Sequence, residues 1–154
     1  MENVNVTASA IISFSEGLED KSSAFYEELA ERFAESKEQL LTFVKESKKN
    51  KTLVVRTYQE TITDALEACF SFAGLNPGDY EVDTTLAEGA SYADALGVAI
   101  TLEEKACRFY LDVAEQSQSL LATIPMAFKR VAKKRGKRKA KLESLLDAIQ
   151  TKGD

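Results

Sequence analysis

Four residue types in this chain have spacing that could do chemistry: paired glutamates, paired tyrosines, two arginines and one cysteine. Glu19 and Glu103 sit in a repeated motif. "LEDKSSAFYEELAE" (18–31) matches "LEEKACRFYLDVAE" (102–115) at a constant offset of 84, with Leu, Glu, Lys, Phe-Tyr and Ala-Glu coinciding. Tyr26 and Tyr110 each follow their glutamate by seven residues, so acid and phenol lie two turns apart on one helix face. Arg135 and Arg138 interrupt an apolar stripe, and Cys107 follows Glu103 by four residues. Inward carboxylates can ligate metal or pair with cations. Inward guanidiniums suit the second, because their planar fork grips a carboxylate with two bonds.

The composition narrows the choice. The chain holds no His, which excludes His-based triads, HExxH zinc sites and His-containing di-iron sites. Carboxylate-only metal sites survive that test. Two cysteines do not make a disulfide framework. Cys69 lies 19 residues past Asn50, about 28 Å along a helix, so it is not expected to pair with Cys107. Net charge is −5, unevenly placed. Residues 129–141 carry nine Lys/Arg and no acid, while the other eleven basic residues face twenty-five acids. A basic strip on an acidic body could bind an anion or nucleic acid. It holds few aromatics and no reading motif, so a solvated outer face with two inward arginines is the favoured account and nucleic acid is not a favoured partner. No apolar run approaches a membrane span, and "MENVNVTASAIISF" lacks a basic secretory start. The expectation is a cytoplasmic protein with no membrane partner.

The elements that must position these groups follow from apolar periodicity. The spacing predicts a first helix over about 7–34, capped by Thr7, with Ile11, Ile12, Ser15, Leu18, Ser22, Phe25, Tyr26, Leu29 and Phe33 inward. A second runs over about 36–73, with Ser36 and Gln39 as a capping box. Leu40, Phe43, Val44, Ser47, Val54, Tyr58, Ile62, Ala65, Leu66 and Cys69 mark its inner face, and Val55, Thr61, Ala68 and Phe72 offer apolar surface outside it. "GLNPGDYEVDTT" breaks the helix and opens a connection over 74–90. A third helix covers about 91–117, started by Ser91 and Asp94. A fourth covers about 119–150, with Pro125 pointing to a start near Ile124. Gly136 in its interior signals either a kink or a close approach. In the fourth helix, steps of three and four from Val131 to Leu142 land on 135 and 138. In the second, steps from Val44 to Val54 land on 47 and 50 or 51. All these positions are therefore inward. Length and layout give one all-α domain over 1–154: hairpin 7–73, long crossover, hairpin 91–150. That is the connectivity of a ferritin-like four-helix bundle.

The doubled "LExxxxxFY" and the helix order resemble the ferritin-like di-iron carboxylate proteins, the rubrerythrin branch in particular, over about residues 8–150. The resemblance implies one carboxylate from each LE helix, here Glu19 and Glu103. It implies a Glu-x-x-His pair from each partner helix. At those places this chain has Ser47 and Asn50, and Arg135 and Arg138. A shift by one brings in Glu46 or Lys134 but restores no Glu-x-x-His. Arg135 and Arg138 are therefore expected to stand where the metals would, bonding Glu19 and Glu103 so that charge sums to zero. Tyr26, Cys107 and Tyr110 lie near this site. The expectation is a metal-free, cofactor-free, non-catalytic protein with a structural or interaction role, paired as a homodimer by the same resemblance, with a further protein partner possible in principle. Two alternatives are an atypical iron- or manganese-dependent oxidoreductase or peroxide-handling protein using Glu19, Glu103 and Cys107, and an anion or nucleic-acid binder using 129–141.

Overall fold

A computed structural model describes residues 5–61, 71–117 and 123–152. It is helical apart from one pair of three-residue strands. The long helices are α1 (Ala8–Arg32), α2 (Lys37–Thr61), α3 (Tyr92–Gln116) and α4 (Thr123–Lys152). Local chemistry sets their starts. The Thr7 side chain accepts from the Ala10 N–H and caps α1. Ser91 and Asp94 form a reciprocal capping box on α3. Pro125 falls in the first turn of α4, where a missing N–H costs nothing. At α2 the expected capping box is replaced: a 3-10 turn over Ala34–Ser36 leads into the helix, and the Ser36 hydroxyl accepts from the Tyr92 hydroxyl.

Tertiary contacts give the helix directions. Asp20 meets Lys51 while Glu27 meets Lys48, so α1 and α2 run antiparallel. Tyr26 reaches Glu103 and Tyr110 reaches Glu19, so α1 and α3 run antiparallel too. Glu103 meets Arg135 while Cys107 meets Ala132, which sets α4 against α3. Arg138 meets Ser47 while Phe128 packs near Tyr58, which sets α4 against α2. The connection after α2 must therefore travel the length of the molecule. It is pinned as it goes: Tyr80 donates to Asp112 at 2.6 Å, Lys105 to the Asp79 carbonyl at 3.1 Å, Lys21 to the Val82 carbonyl, and Arg32 to the Ala87 and Glu88 carbonyls at 2.9 and 3.1 Å.

The core lies between the four helices and is rich in aromatics. Phe109 packs against Phe14, Tyr80 and Tyr110, and Tyr26 against Phe25 and Phe43, with ring centroids 4.8–5.4 Å apart. The inward positions expected on α1 are buried, save Phe33, which is half-buried, and Val131, Arg135, Arg138 and Leu142 are buried on α4.

One expected element is different. Ser71–Ala73 is a strand (β2) paired antiparallel with Asn5–Thr7 (β1), so the helix expected to reach residue 73 does not. Gly74, at φ +75°, turns the chain out of the strand. Phe72 is buried rather than available for a dimer surface. The apolar run before Gly74 has no period that separates strand from helix, and its pairing partner is more than sixty residues away. Ile62, Ala65, Leu66, Ala68 and Cys69 lie outside the described residues, as does the side chain of Thr61. Among the described residues no helix is long and apolar enough to cross a membrane.

A buried arginine–glutamate cluster as the candidate functional site

Each helix sends at least one polar side chain to the centre. Glu19 and Ser22 come from α1, Ser47 and Asn50 from α2, Glu103 from α3, and Arg135 and Arg138 from α4. All seven are buried to 1% exposure or less. Burial at that depth is tolerable for charges only when they are paired and hydrogen-bonded.

Arg135 supplies most of the pairing. Its Nη1 donates to both oxygens of Glu103, at 2.8 and 2.7 Å. Its Nη2 donates to Ser22 Oγ at 2.8 Å and lies 2.9 Å from Glu19 Oε1. One guanidinium thus bridges two carboxylates from two helices. Arg138 takes a different partner from the one expected. Its Nε and Nη2 reach Glu46 Oε1 at 3.1 and 2.6 Å, and Nη1 reaches Ser47 Oγ at 2.9 Å. Its contact with Glu103 is a long 3.5 Å. The guanidinium carbon lies 5.4 Å from the Tyr26 ring centroid and 5.2 Å from that of Phe43. Glu46 stands at the rim with 28% of its side chain exposed. The inner shell of Glu19, Glu103, Arg135 and Arg138 sums to zero charge, and Glu46 adds a partly solvated negative charge beside Arg138.

The tyrosines complete the cluster by crossing over. Tyr26 donates to Glu103 Oε2 at 2.5 Å, and Tyr110 donates to Glu19 Oε2 at 2.6 Å. Each phenol serves the glutamate of the other repeat. Antiparallel α1 and α3 make this possible, because a residue seven beyond one glutamate comes level with the other glutamate. Burial first, and then the charge of Glu103, pushes the Tyr26 hydroxyl well above its usual pKa. Burial and Glu19 do the same at Tyr110. Both phenols therefore stay protonated and donate. Burial opposes the charge on Arg135, but Glu103 and Glu19 outweigh it and hold its pKa well above the usual value.

Asn50 is a weaker member. Its Nδ2 is 3.5 Å from Glu19 Oε1, and its Oδ1 has no hydrogen-bond partner among the described residues. Cys107 is near but outside the network: its Sγ points to the Ala132 carbonyl at 3.5 Å. Burial pushes this thiol up, so it is not poised as a thiolate. Gly136 lies opposite, and a Cβ there would meet Cys107 Sγ at an ordinary 3.9 Å. The glycine is thus not required by a close approach.

Periodicity placed Ser47, Asn50, Arg135 and Arg138 on inward faces and the resemblance added Glu19 and Glu103; the structure brings these six side chains together. It adds Ser22 and Glu46. Ser22 had a signal, a small polar residue on an apolar stripe three positions past Glu19. Glu46 had only its adjacency to Ser47.

The donor set does not fit a pair of metal ions. All four carboxylate oxygens of Glu19 and Glu103 already accept from guanidinium, phenol or amide donors. Arg135 occupies the space between them and Arg138 stands beside Glu103, and cations repel a metal. Among the described residues no three His, Cys, Asp or Glu side chains are grouped so as to hold a metal. What the arrangement can do is lock the rotation and register of four helices. A slip of one residue in any of them would strand a buried charge. Compared with protein-family models, with curated proteins and with solved structures, the chain matches none.

Proposed function

We propose that the protein is a ferritin-like four-helix bundle of rubrerythrin type in which an arginine–glutamate cluster takes the place of the di-iron centre, and that it works as a metal-free structural or interaction module. The observation that carries this reading is the Arg135 guanidinium shared between Glu19 and Glu103. It stands between the two carboxylates that the resemblance assigns to a metal pair, and it satisfies them with protein alone. Three further features support it. The helices run up, down, down, up with a long pinned connection after the second. The repeated LE…FY motifs stand opposite each other and exchange hydrogen bonds. Ser47 and Asn50 on α2 and Arg135 and Arg138 on α4, the places where the resemblance implies Glu-x-x-His, are all buried.

The test has two arms. Protein purified without chelators is assayed for metal by mass spectrometry, and less than about a tenth of an equivalent of iron or manganese is expected. A variant carrying Ser47→Glu, Asn50→His, Arg135→Glu and Arg138→His is titrated with Co²⁺, followed by its visible absorption. Binding of about two equivalents is expected, as two Glu-x-x-His pairs plus two glutamates demand. Stoichiometric iron or manganese in the unaltered protein, with peroxide turnover, would replace this reading with the metal-dependent oxidoreductase.

A further inference from the structure

The helix directions sort the charge. The acidic helices α1 and α3 lie against each other, and so do the basic helices α2 and α4. By sequence α1 has six acids against two bases and α3 five against two; α2 has six bases against three acids and α4 ten against two. One wall of the molecule is therefore acidic and the opposite wall basic.

The basic wall carries two aligned rows. On α4, Arg130, Lys134, Lys137 and Lys141 follow at steps of four, three and four. They run along the edge facing α2, as shown by the surface cleft that Lys141 and Leu145 share with Lys37, Glu38 and Thr42. On α2, Lys45, Lys49 and Arg56 flank Leu53, and three of these residues line one shallow groove: Lys49, Leu53 and Arg56. This is the edge facing α4, since Glu46, three residues before Lys49, is held by Arg138 of α4. Each row spans about 16 Å, at 1.5 Å per residue over eleven residues. Packed helices lie about 8–10 Å apart. Lys134 is half-buried and the other six cations are exposed. Among the described residues none of the seven forms an ion pair, whereas Lys48, Lys51 and Arg108 pair with Glu27, Asp20 and Glu104. Within the wall Glu46 is bound to Arg138, and Glu38 and Glu60 stand at the two ends.

We infer that the α2/α4 wall docks the phosphate backbone of a nucleic-acid duplex without regard to sequence. Two rows of unpaired cations at intervals of one or two turns suit a polyanion with evenly spaced charge, about one per 1.7 Å of duplex axis. The rows contain no aromatic side chain on which an unpaired base could stack, which disfavours single strands. Among the described residues the two exposed large apolar side chains of α2 and α4, Leu41 and Met126, stand one turn before Lys45 and Arg130, at opposite ends of the antiparallel pair, and so do not form one apolar patch to enter a membrane surface. The inference gives the interaction role a partner, but it uses a surface apart from the buried cluster, so the two can fail separately.

The experiment is fluorescence anisotropy of a labelled 30-base-pair duplex of arbitrary sequence, titrated with the full chain at 50–200 mM KCl. Binding near the micromolar range at the lowest salt is expected, with log K falling against log salt at a slope of about −4.5 to −6.3 for five to seven phosphate contacts. The variant Lys49→Gln/Arg56→Gln/Arg130→Gln/Lys137→Gln is expected to bind at least tenfold more weakly, with a slope shallower by about 3 to 4. The variant Lys21→Gln/Lys51→Gln/Lys105→Gln/Arg108→Gln loses the same charge from other surfaces and is expected to keep binding within about threefold at matched salt. Circular dichroism melts check that both variants fold. No anisotropy change at 100 µM protein and 50 mM salt, equal losses in both variants, or binding to polyglutamate or anionic lipid vesicles in preference to the duplex would overturn the proposal. Metal content measured on the same preparation keeps this outcome separate from that of the buried cluster.

Discussion

Replacing Arg135 by methionine isolates the cluster's energetics, because methionine keeps much of the volume and removes the charge. The structure sets the size of the effect. Glu19 would keep Tyr110 and a long contact to Asn50, and Glu103 would keep Tyr26 and a 3.5 Å contact to Arg138. Two buried carboxylates would then face one distant cation. Breaking a buried ion pair from one side costs about 3–5 kcal/mol. For a chain of this length, at roughly 0.3 kcal/mol per degree, the melting temperature should fall by about 10–17 °C. Differential scanning calorimetry at pH 7 reads this directly. Adding Glu19→Gln and Glu103→Gln to the same variant removes the stranded charges and should restore more than half of the loss, since replacing a whole buried ion cluster is often close to neutral. A drop of under about 3 °C for Arg135→Met, or a triple variant no more stable than the single one, would show that Arg135 does not hold these charges.

Removing one crossing phenol, as Tyr26→Phe or Tyr110→Phe, should cost about 1.5–3 kcal/mol each in chemical denaturation, the usual worth of a hydrogen bond to a charged group. Because both variants weaken one network, their double variant should depart from additivity by more than about 0.5 kcal/mol. Raised pKa values at Tyr26 and Tyr110 mean that the unfolded chain ionises first as pH climbs past about 10, so the stability they contribute is intact below that pH and lost above it. Absorbance at 295 nm should show Tyr26 and Tyr110 ionising only together with alkaline unfolding, and Tyr80, which burial and the hydrogen bond to Asp112 also push up, titrating late as well, out of five tyrosines in all. Gly136→Ala should raise stability by up to about 1 kcal/mol, near 3 °C in melting temperature, because its Cβ meets only an ordinary contact while the helix loses a flexible residue; a fall in melting temperature would mean that the glycine serves a closer approach.

Much of this organisation was legible along the chain because helical periodicity is local. The steps from Val131 to Leu142 put Arg135 and Arg138 inward, and those from Val44 to Val54 did the same for Ser47 and Asn50, without knowledge of any neighbour. Ser91 with Asp94 marked the start of α3, and Thr7 the start of α1, because a cap is made within four residues. The doubled LE…FY motif and the lack of histidine pointed to a cluster of acid and guanidinium. Partner choice was not legible. Whether Arg138 grips Glu103 or Glu46 depends on the rotation and axial offset of α4 against α2 by a few ångströms, which no spacing within one helix encodes. The exchange of phenols between the repeats, the Ser71–Ala73 strand and the alignment of the two cationic rows have the same origin. Each joins segments far apart in sequence, and only packing the hairpins together brings those segments within reach of one another.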